Sequence, residues 1–314
     1  MKTLISGATG FIGSELCRAL SGSGTPPIAL SRQGAPLADG TATIAIDLSS
    51  QELDATLLQG VDVVFHLAGI AHQHAPESAY MQLNHRATLA LARASEAAGV
   101  KCFIYLSSVK AMGAPTGDAA RAEPQGVKPT DAYGLSKWLA EQDLQSNFSN
   151  SKMSVVILRP ALVYGPGVKG NLLSMRRAVL VGLPRPPEVG GRSMIALQDL
   201  IELMLQIAAN PPTGVRLWIV CDGHRYSARG VYDLMRVARG KGRGFGGLPL
   251  WVWKVAAFVA DGMRHRGVNS RFNKLFGTEL YSNAAITGEL FWRPHLELAD
   301  NMPEIMASAK DKSL

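Results

Sequence analysis

Short apolar runs alternate with longer segments of helical spacing through the first half of the chain. Lys2 to Ser6 is a brief apolar strand that opens into glycines, Phe11 to Leu20 repeats its apolar positions at helical intervals, and Ile28 to Ser31 is a second strand. Thr43 to Ile46, Val61 to Leu67, Lys101 to Leu106 and Val155 to Leu158 are further apolar or β-branched runs, separated by helical stretches such as Ala79 to Ala98 and Ala132 to Asn147. Strands alternating with helices of this length predict βαβ units and a parallel sheet covered on both faces. Residues 1–160 therefore read as an α/β, doubly wound, Rossmann-like nucleotide-binding domain.

After Arg159-Pro160 the texture changes, with Gly165, Pro166, Gly167, Gly170, Pro184, Pro186 and Pro187 punctuating short apolar pieces. Arg216 to Val220 is again a brief apolar strand followed by the turn residues Asp222-Gly223, which predicts a return to the main sheet. The main domain is thus rejoined by about 192–222, and a smaller, discontinuous substrate lobe takes 161–191 and 223–314. Gly240 to Gly247 reads as a flexible surface connection. The most apolar stretch is Leu250 to Ala260, but Lys254 interrupts it and Asp261 closes it well short of the ~20 residues a bilayer span needs. A packed helix is expected, with Trp251 and Trp253 in the core or an interface; a helix lying on a membrane surface is the alternative.

Composition narrows the classes. The 314 residues are about two domains' worth of chain, and 47% hydrophobic against 18% charged excludes compositional disorder. Cys17, Cys102 and Cys221 are widely separated with no C-x-x-C spacing, so neither a disulfide framework nor a thiolate zinc site is expected, and a reducing cytoplasm fits best. The net charge of +7 suits an anionic partner. No basic run interleaved with aromatics accompanies it, so a small anionic molecule is expected rather than nucleic acid. Glycines break the apolar start by Gly7 and no small-residue cleavage pattern follows, so no signal peptide is expected.

Three sets of residues carry chemistry. Gly7-Ala8-Thr9-Gly10-Phe11-Ile12-Gly13 follows the first strand and opens the first helix, with glycines where a chain must turn tightly and approach a pyrophosphate. Ser31-Arg32 ends the second strand, where an NAD-selective site would place an acid on the ribose 2′-hydroxyl; Arg32 instead suits a 2′-phosphate. NADP(H) is the expected cofactor and NAD(H) the alternative. Tyr133 and Lys137 stand four residues apart on one face of a helix started by Thr130 or Asp131, with Ser107-Ser108 at a strand end upstream. The lysine is expected to lower the phenol pKa, so that serine, tyrosine and lysine hold an oxyanion, transfer a proton and position a cofactor for hydride transfer at a carbonyl. His72 and His74 have a metal-like spacing without a partner cluster, so no metal is expected and a loop near the substrate is. Met175-Arg176-Arg177 reads equally as a diphosphate contact or a solvated helix face.

Taken together these motifs resemble the extended short-chain dehydrogenase/reductases that act on nucleotide sugars. The resemblance runs from Met1 to about Pro294: SGATGFIG at 6–13, HLAG at 66–69, Asn84 with Thr88, YLSSVKAMG at 105–113, YGLSK at 133–137, LRPALVYGPGVKGN at 158–171 and FWRP at 291–294. It implies that Asp47 and Leu48 read the adenine, that Leu67, Ala68 and Gly69 line the nicotinamide side, and that Ser108, Tyr133 and Lys137 are catalytic, with the last also on the cofactor ribose. It further implies that Ser108 and Asn171 contact substrate, that Arg192 meets the nucleotide diphosphate, and that the protein is a homodimer. A 4,6-dehydratase is not implied, because Ser108-Val109-Lys110 stands where its acid and base would be, and Glu279 to Thr287 lacks the group's usual pattern. SSVKAMG with VYGPGVKGN most resembles the 4-ketoreductases of UDP-2-acetamido-2,6-dideoxy-4-hexulose, which make UDP-N-acetylquinovosamine or its 4-epimer for surface polysaccharide. A UDP-hexose 4-epimerase holding NAD and a catalytically idle nucleotide sensor are the alternatives.

Overall fold

The computed structural model describes the chain except residues 52, 72–74, 116, 169–170, 243, 247, 261–270 and 308–314, and the side chains of 171, 260, 271 and 274. His72 and His74 therefore lie outside the described residues. Two compact units divide the chain, one of residues 1–113, 123–160 and 200–220, the other of 114–122, 161–199 and 221–314.

The first unit opens with β1 (Thr3–Ser6), α1 (Phe11–Gly22), β2 (Ile28–Ser31), β3 (Ile44–Ala45) and β4 (Val63–His66). Helix α2 (Glu77–Tyr80) passes through a π-helical turn at Met81–Arg86 into α3 (Ala87–Ala97), followed by β5 (Cys102–Leu106), α4 (Ala132–Asn147) and β6 (Ser154–Pro160). The chain then leaves through β7 (Leu162–Tyr164), α5 (Asn171–Leu180), β8 (Gly191–Arg192) and β9 (Met194–Ala196). It returns along α6 (Leu197–Ala209) to β10 (Val215–Val220). Seven strands form one sheet in the order β10-β6-β5-β4-β1-β2-β3, and every neighbouring pair is parallel. This is the Rossmann-like architecture the alternation predicts.

Strands β1, β4, β5 and β6 are buried along their whole length, as strands covered on both faces must be. Leu4, Val64, Phe103, Tyr105, Leu144 and Ile157 belong to the core cluster beside them. Strand order reverses at β1, and Ser6 is paired there with His66 at the carboxyl end of β4. Ligands of open α/β sheets bind outside the strand ends at such a point. At the far edge, the strand expected over 43–46 shrinks to Ile44–Ala45, and the Thr43 hydroxyl before it meets Ser31 Oγ at 2.7 Å and donates to Ala35 O at 2.8 Å.

In the second unit β7 pairs with β9 in parallel, and β8 pairs with β11 (Thr278–Glu279). Around them lie α5, α7 (Ala228–Val237), α8 (Leu250–Ala260), α9 (Arg271–Phe276), α10 (Ala284–Leu290) and α11 (Leu298–Ala307). Helix α8 places only one of its two tryptophans against the core. Trp253 meets the Phe276 ring edge-on at 5.8 Å and Ala257 is buried, but Trp251 is 66% exposed. A helix that is apolar all round cannot bury every face against one short neighbour. Among the described residues no helix is long and apolar enough to cross a membrane.

Candidate active site

The turn after β1 is shaped by what its glycines lack. Gly7 has φ +75°, and a Cβ there would come within 2.7 Å of the Ala68 amide nitrogen. A Cβ on Gly13 would lie 2.2 Å from the Gly7 carbonyl oxygen, so α1 can approach the turn only as glycine. Gly10 caps α1 without a side-chain hydrogen bond, and no acid stands in the first turn. Thr9 and Gly10 are exposed, while Phe11 and Ile12 are half-buried. Backbone N–H groups at a helix start that no side chain caps, beside a turn with room for no Cβ, fit a cofactor diphosphate.

At the end of β2, Ser31 is buried and bonded to Thr43, while Arg32 is exposed. Hydrogen bonds from the Ser49 hydroxyl (2.6 Å) and amide (3.0 Å), and behind them the charge of Arg32, hold Asp47 below the usual carboxylate range. Leu48 beside it packs against the core cluster. Leu67 and Ala68 are tied to β1, with Leu67 N donating to Ser6 O at 3.1 Å and Ala68 N to Ser6 Oγ at 3.4 Å. A Cβ on Gly69 would lie 2.9 Å from Asn84 Oδ1 and 3.4 Å from Lys137 Nζ, which brings this turn to the lysine.

Helix α4 begins at Asp131 rather than Thr130, since the Asp131 carboxylate accepts from Gly134 N at 2.9 Å. Ser108 caps the short turn Val109–Met112 and accepts from Lys110 N at 3.2 Å. That turn packs against the start of α4, where a Cβ on Gly134 would be 2.7 Å from Lys110 O, and the Ser108 side chain stands close enough to the Tyr133 phenol to favour its ionised form. Lys137, one turn along, donates from Nζ to Leu106 O at 2.8 Å and lies 4.6 Å from the Tyr105 ring centre. Serine, tyrosine and lysine thus converge at the carboxyl end of β5.

The electrostatics differ from the sequence expectation. The lysine does not lower the phenol: burial of its hydroxyl end pushes Tyr133 up to about 12, against the Ser108 hydrogen bond that favours the phenolate. Burial lowers Lys137 to about 7, opposed by the charge of Glu141. Desolvation dominates both groups, and the ammonium is turned to the Leu106 carbonyl and the Tyr105 face.

Several residues around this site were landmarks of the resemblance without an assigned role, or, like Glu141, carried no motif at all. Asn84, in the π-helical turn, accepts from Ile70 N at 2.8 Å and donates to Ile70 O and Ser136 Oγ, joining the turn after β4 to α4. His66 bridges Ser6 Oγ (2.6 Å) and Thr88 Oγ1 (2.9 Å), and burial holds its pKa near 3, so it is neutral. Glu141 and Arg159 form a buried pair with Ser107. The one clue to these two was a charged residue inside an otherwise apolar strand or one helical turn beyond the lysine.

In the second unit, Arg192 is held by its neighbours: Nη1 lies 3.2 Å from Glu279 Oε2 and Nη2 donates to Asn273 O at 3.0 Å, while Nε is buried with no partner among the described residues. Arg192 lines a cavity of about 40 Å³ with Leu162, Met175, Met194, Tyr226 and Leu275. Arg176 is not on a solvated helix face; it is buried and donates to Met306 O at 3.3 Å. Asn171 opens α5, and its side chain lies outside the described atoms.

A sequence model of the NAD dependent epimerase/dehydratase family matches residues 3–220. The chain belongs to this family. A UDP-glucose 4-epimerase of Vibrio cholerae is 29% identical over 312 residues, covering 96% of this chain and 93% of the relative. Among solved structures, MoeE5 in complex with UDP-glucuronic acid and NAD superposes with a TM-score of 0.78 at 24% identity over 98% of both chains. RMD from Pseudomonas aeruginosa complexed with NADPH gives 0.72 at 19% identity over 98% of this chain and 99% of that one. At these identities the two structures establish the family fold, and they show it holding either dinucleotide.

Proposed function

We propose that the protein is an NADPH-dependent 4-ketoreductase of a UDP-activated 4-keto-6-deoxyhexose, with UDP-2-acetamido-2,6-dideoxy-4-hexulose as the substrate class. The observation that carries this reading is Arg32, an exposed cation at the end of β2 where an acid would repel a 2′-phosphate. A reductase exchanges its cofactor every turnover, whereas an epimerase keeps its own through oxidation and re-reduction.

The turn at Gly7–Gly13 and the start of α1 receive the diphosphate, Arg32 the 2′-phosphate, and Asp47 with Leu48 the adenine. When bound, the reduced nicotinamide supplies hydride to the C4 carbonyl carbon. Ser108 donates a hydrogen bond to the carbonyl oxygen and to the developing alkoxide. Tyr133 transfers its phenolic proton to that oxygen, which leaves a C4 hydroxyl, and the phenolate is reprotonated from solvent before the next turnover. A phenol held near 12 is fully protonated at neutral pH, as a resting proton donor must be. Lys137, beside Gly69, binds the ribose hydroxyls. In the second unit, Arg192 and Asn171 take the nucleotide diphosphate and the sugar.

Reduction with NADPH deuterated at the transferred position tests the reading. A reductase places one deuterium on C4 of the sugar; an unlabelled product would refute it. The second reading, a UDP-hexose 4-epimerase, is favoured by the Vibrio cholerae relative, which matches nearly the whole chain.

A further inference from the structure

Helix α8 presents two opposite apolar faces, and the fold uses one. Trp253 and Ala257 face α9, with Trp253 on the Phe276 ring. Trp251, Val255, Phe258 and Val259 fall within a single stripe on the other side at 100° per residue, and they are 66%, 52%, 53% and 72% exposed. Lys254 borders the stripe, exposed, its ammonium 5.8 Å from the Phe272 ring. The loop leading into the helix adds Phe245, 78% exposed, and its carbonyl accepts from Arg185 N at 2.7 Å, two residues after exposed Leu183. Monomeric proteins rarely leave contiguous large apolar side chains in water without a use for them.

Charge identifies the occupant. From Leu234 to Thr278 the sequence holds nine lysines and arginines and a single acid, Asp261, so this stretch alone carries more positive charge than the chain's net +7. Arg239 and Lys241 stand exposed at the foot of the loop. An apolar stripe containing tryptophan and phenylalanine, set in a basic segment, matches the boundary of an anionic bilayer: rings enter the headgroup region and cations remain among the phosphates. A soluble protein partner would not require so basic a stretch, with one acid against nine lysines and arginines.

We propose that α8 and the Phe245 loop dock this protein on the surface of an anionic membrane. The helix lies in the interface plane without spanning it, because it is eleven residues long. This inference rests on the second unit alone and is independent of the reaction assigned above.

The test is co-sedimentation of the full chain with vesicles of phosphatidylcholine alone and of phosphatidylcholine with phosphatidylglycerol, in low and high salt. Binding is expected to the anionic vesicles only, and to weaken with salt. Trp251→Glu with Phe258→Glu is expected to abolish it. Arg239→Ala and Lys241→Ala are each expected to weaken it roughly fivefold. All four positions are exposed, and an unchanged thermal transition with an unchanged circular dichroism spectrum shows that the variants are folded. Absence of binding to anionic vesicles, or binding that survives the double glutamate variant, overturns the proposal. So does light scattering that shows a dimer broken by Trp251→Glu and Phe258→Glu, since a second copy would then own the stripe.

Discussion

Glu141 and Arg159 meet inside the first unit as a two-pronged pair, with Arg159 Nε 3.0 Å from Glu141 Oε1 and Nη2 2.7 Å from Oε2. Both side chains are buried. Ser107 donates to the same carboxylate, and Arg159 Nη1 donates to Glu123 O at 3.2 Å, so each guanidinium nitrogen has a partner. The pair joins α4 to β6 directly behind the strand end that carries Ser108. It also places the carboxylate one helical turn from Lys137, where its charge partly offsets the burial of the ammonium.

Removing one partner strands a buried charge, so Glu141→Ala should cost about 3 to 5 kcal/mol in urea unfolding. The apolar double variant Glu141→Leu with Arg159→Met should recover much of that loss. If the double variant is as unstable as the sum of its singles, the pair does not act as a unit. Glu141→Gln should in addition move the pH profile of cofactor binding downward, because Lys137 loses the charge that opposes its desolvation.

Cofactor choice should invert at Arg32. NADPH is expected to bind more tightly than NADH, and Arg32→Asp to reverse the order, each by about ten- to a hundredfold for one charge-assisted pair. Titration of both cofactors with both proteins checks it; equal wild-type affinities would contradict the assignment.

Tyr133→Phe should retain NADPH while slowing turnover by about 10² to 10⁴. Lys137→Met should weaken NADPH binding as well. Steady-state rates alongside cofactor titration separate the two roles, and an unchanged rate in Tyr133→Phe would leave Ser108 as the proton donor.

Acid stability should carry the mark of His66. Its folded pKa is depressed to about 3 from 6.5, so the unfolded chain binds the extra proton between those values. The contribution is complete above pH 6.5 and is lost as the pH falls toward 3. Urea unfolding of wild type and His66→Gln across this window should show the steeper decline in the wild type; parallel declines would mean that His66 is not held neutral.

What the sequence made legible follows from which forces are local. The alternation of apolar runs and helical spacing located nearly every strand of the main sheet, and the return of β10 to it, because covered parallel strands must be apolar throughout. The glycine turn was legible because few other residues tolerate φ +75° with a backbone 2.7 Å away. The phenol's pKa was not, since desolvation depends on how much protein surrounds the hydroxyl rather than on the lysine four residues along. Glu141 with Arg159 and Arg192 with Glu279 were likewise hidden, being partners 18 and 87 residues apart. For Trp251 the sequence left core and interface open, because apolarity marks a face that avoids water without telling what covers it.

The central claim is that this chain consumes reduced cofactor to make a sugar hydroxyl. It is tested most directly by counting nicotinamide oxidised per sugar formed when the protein is mixed with NADPH and UDP-2-acetamido-2,6-dideoxy-4-hexulose. One NADPH lost per product, with UDP-glucose, UDP-galactose and their N-acetyl forms left unchanged, is the predicted result. Interconversion of those fully hydroxylated sugars without added cofactor, by enzyme purified with NAD bound, would contradict it.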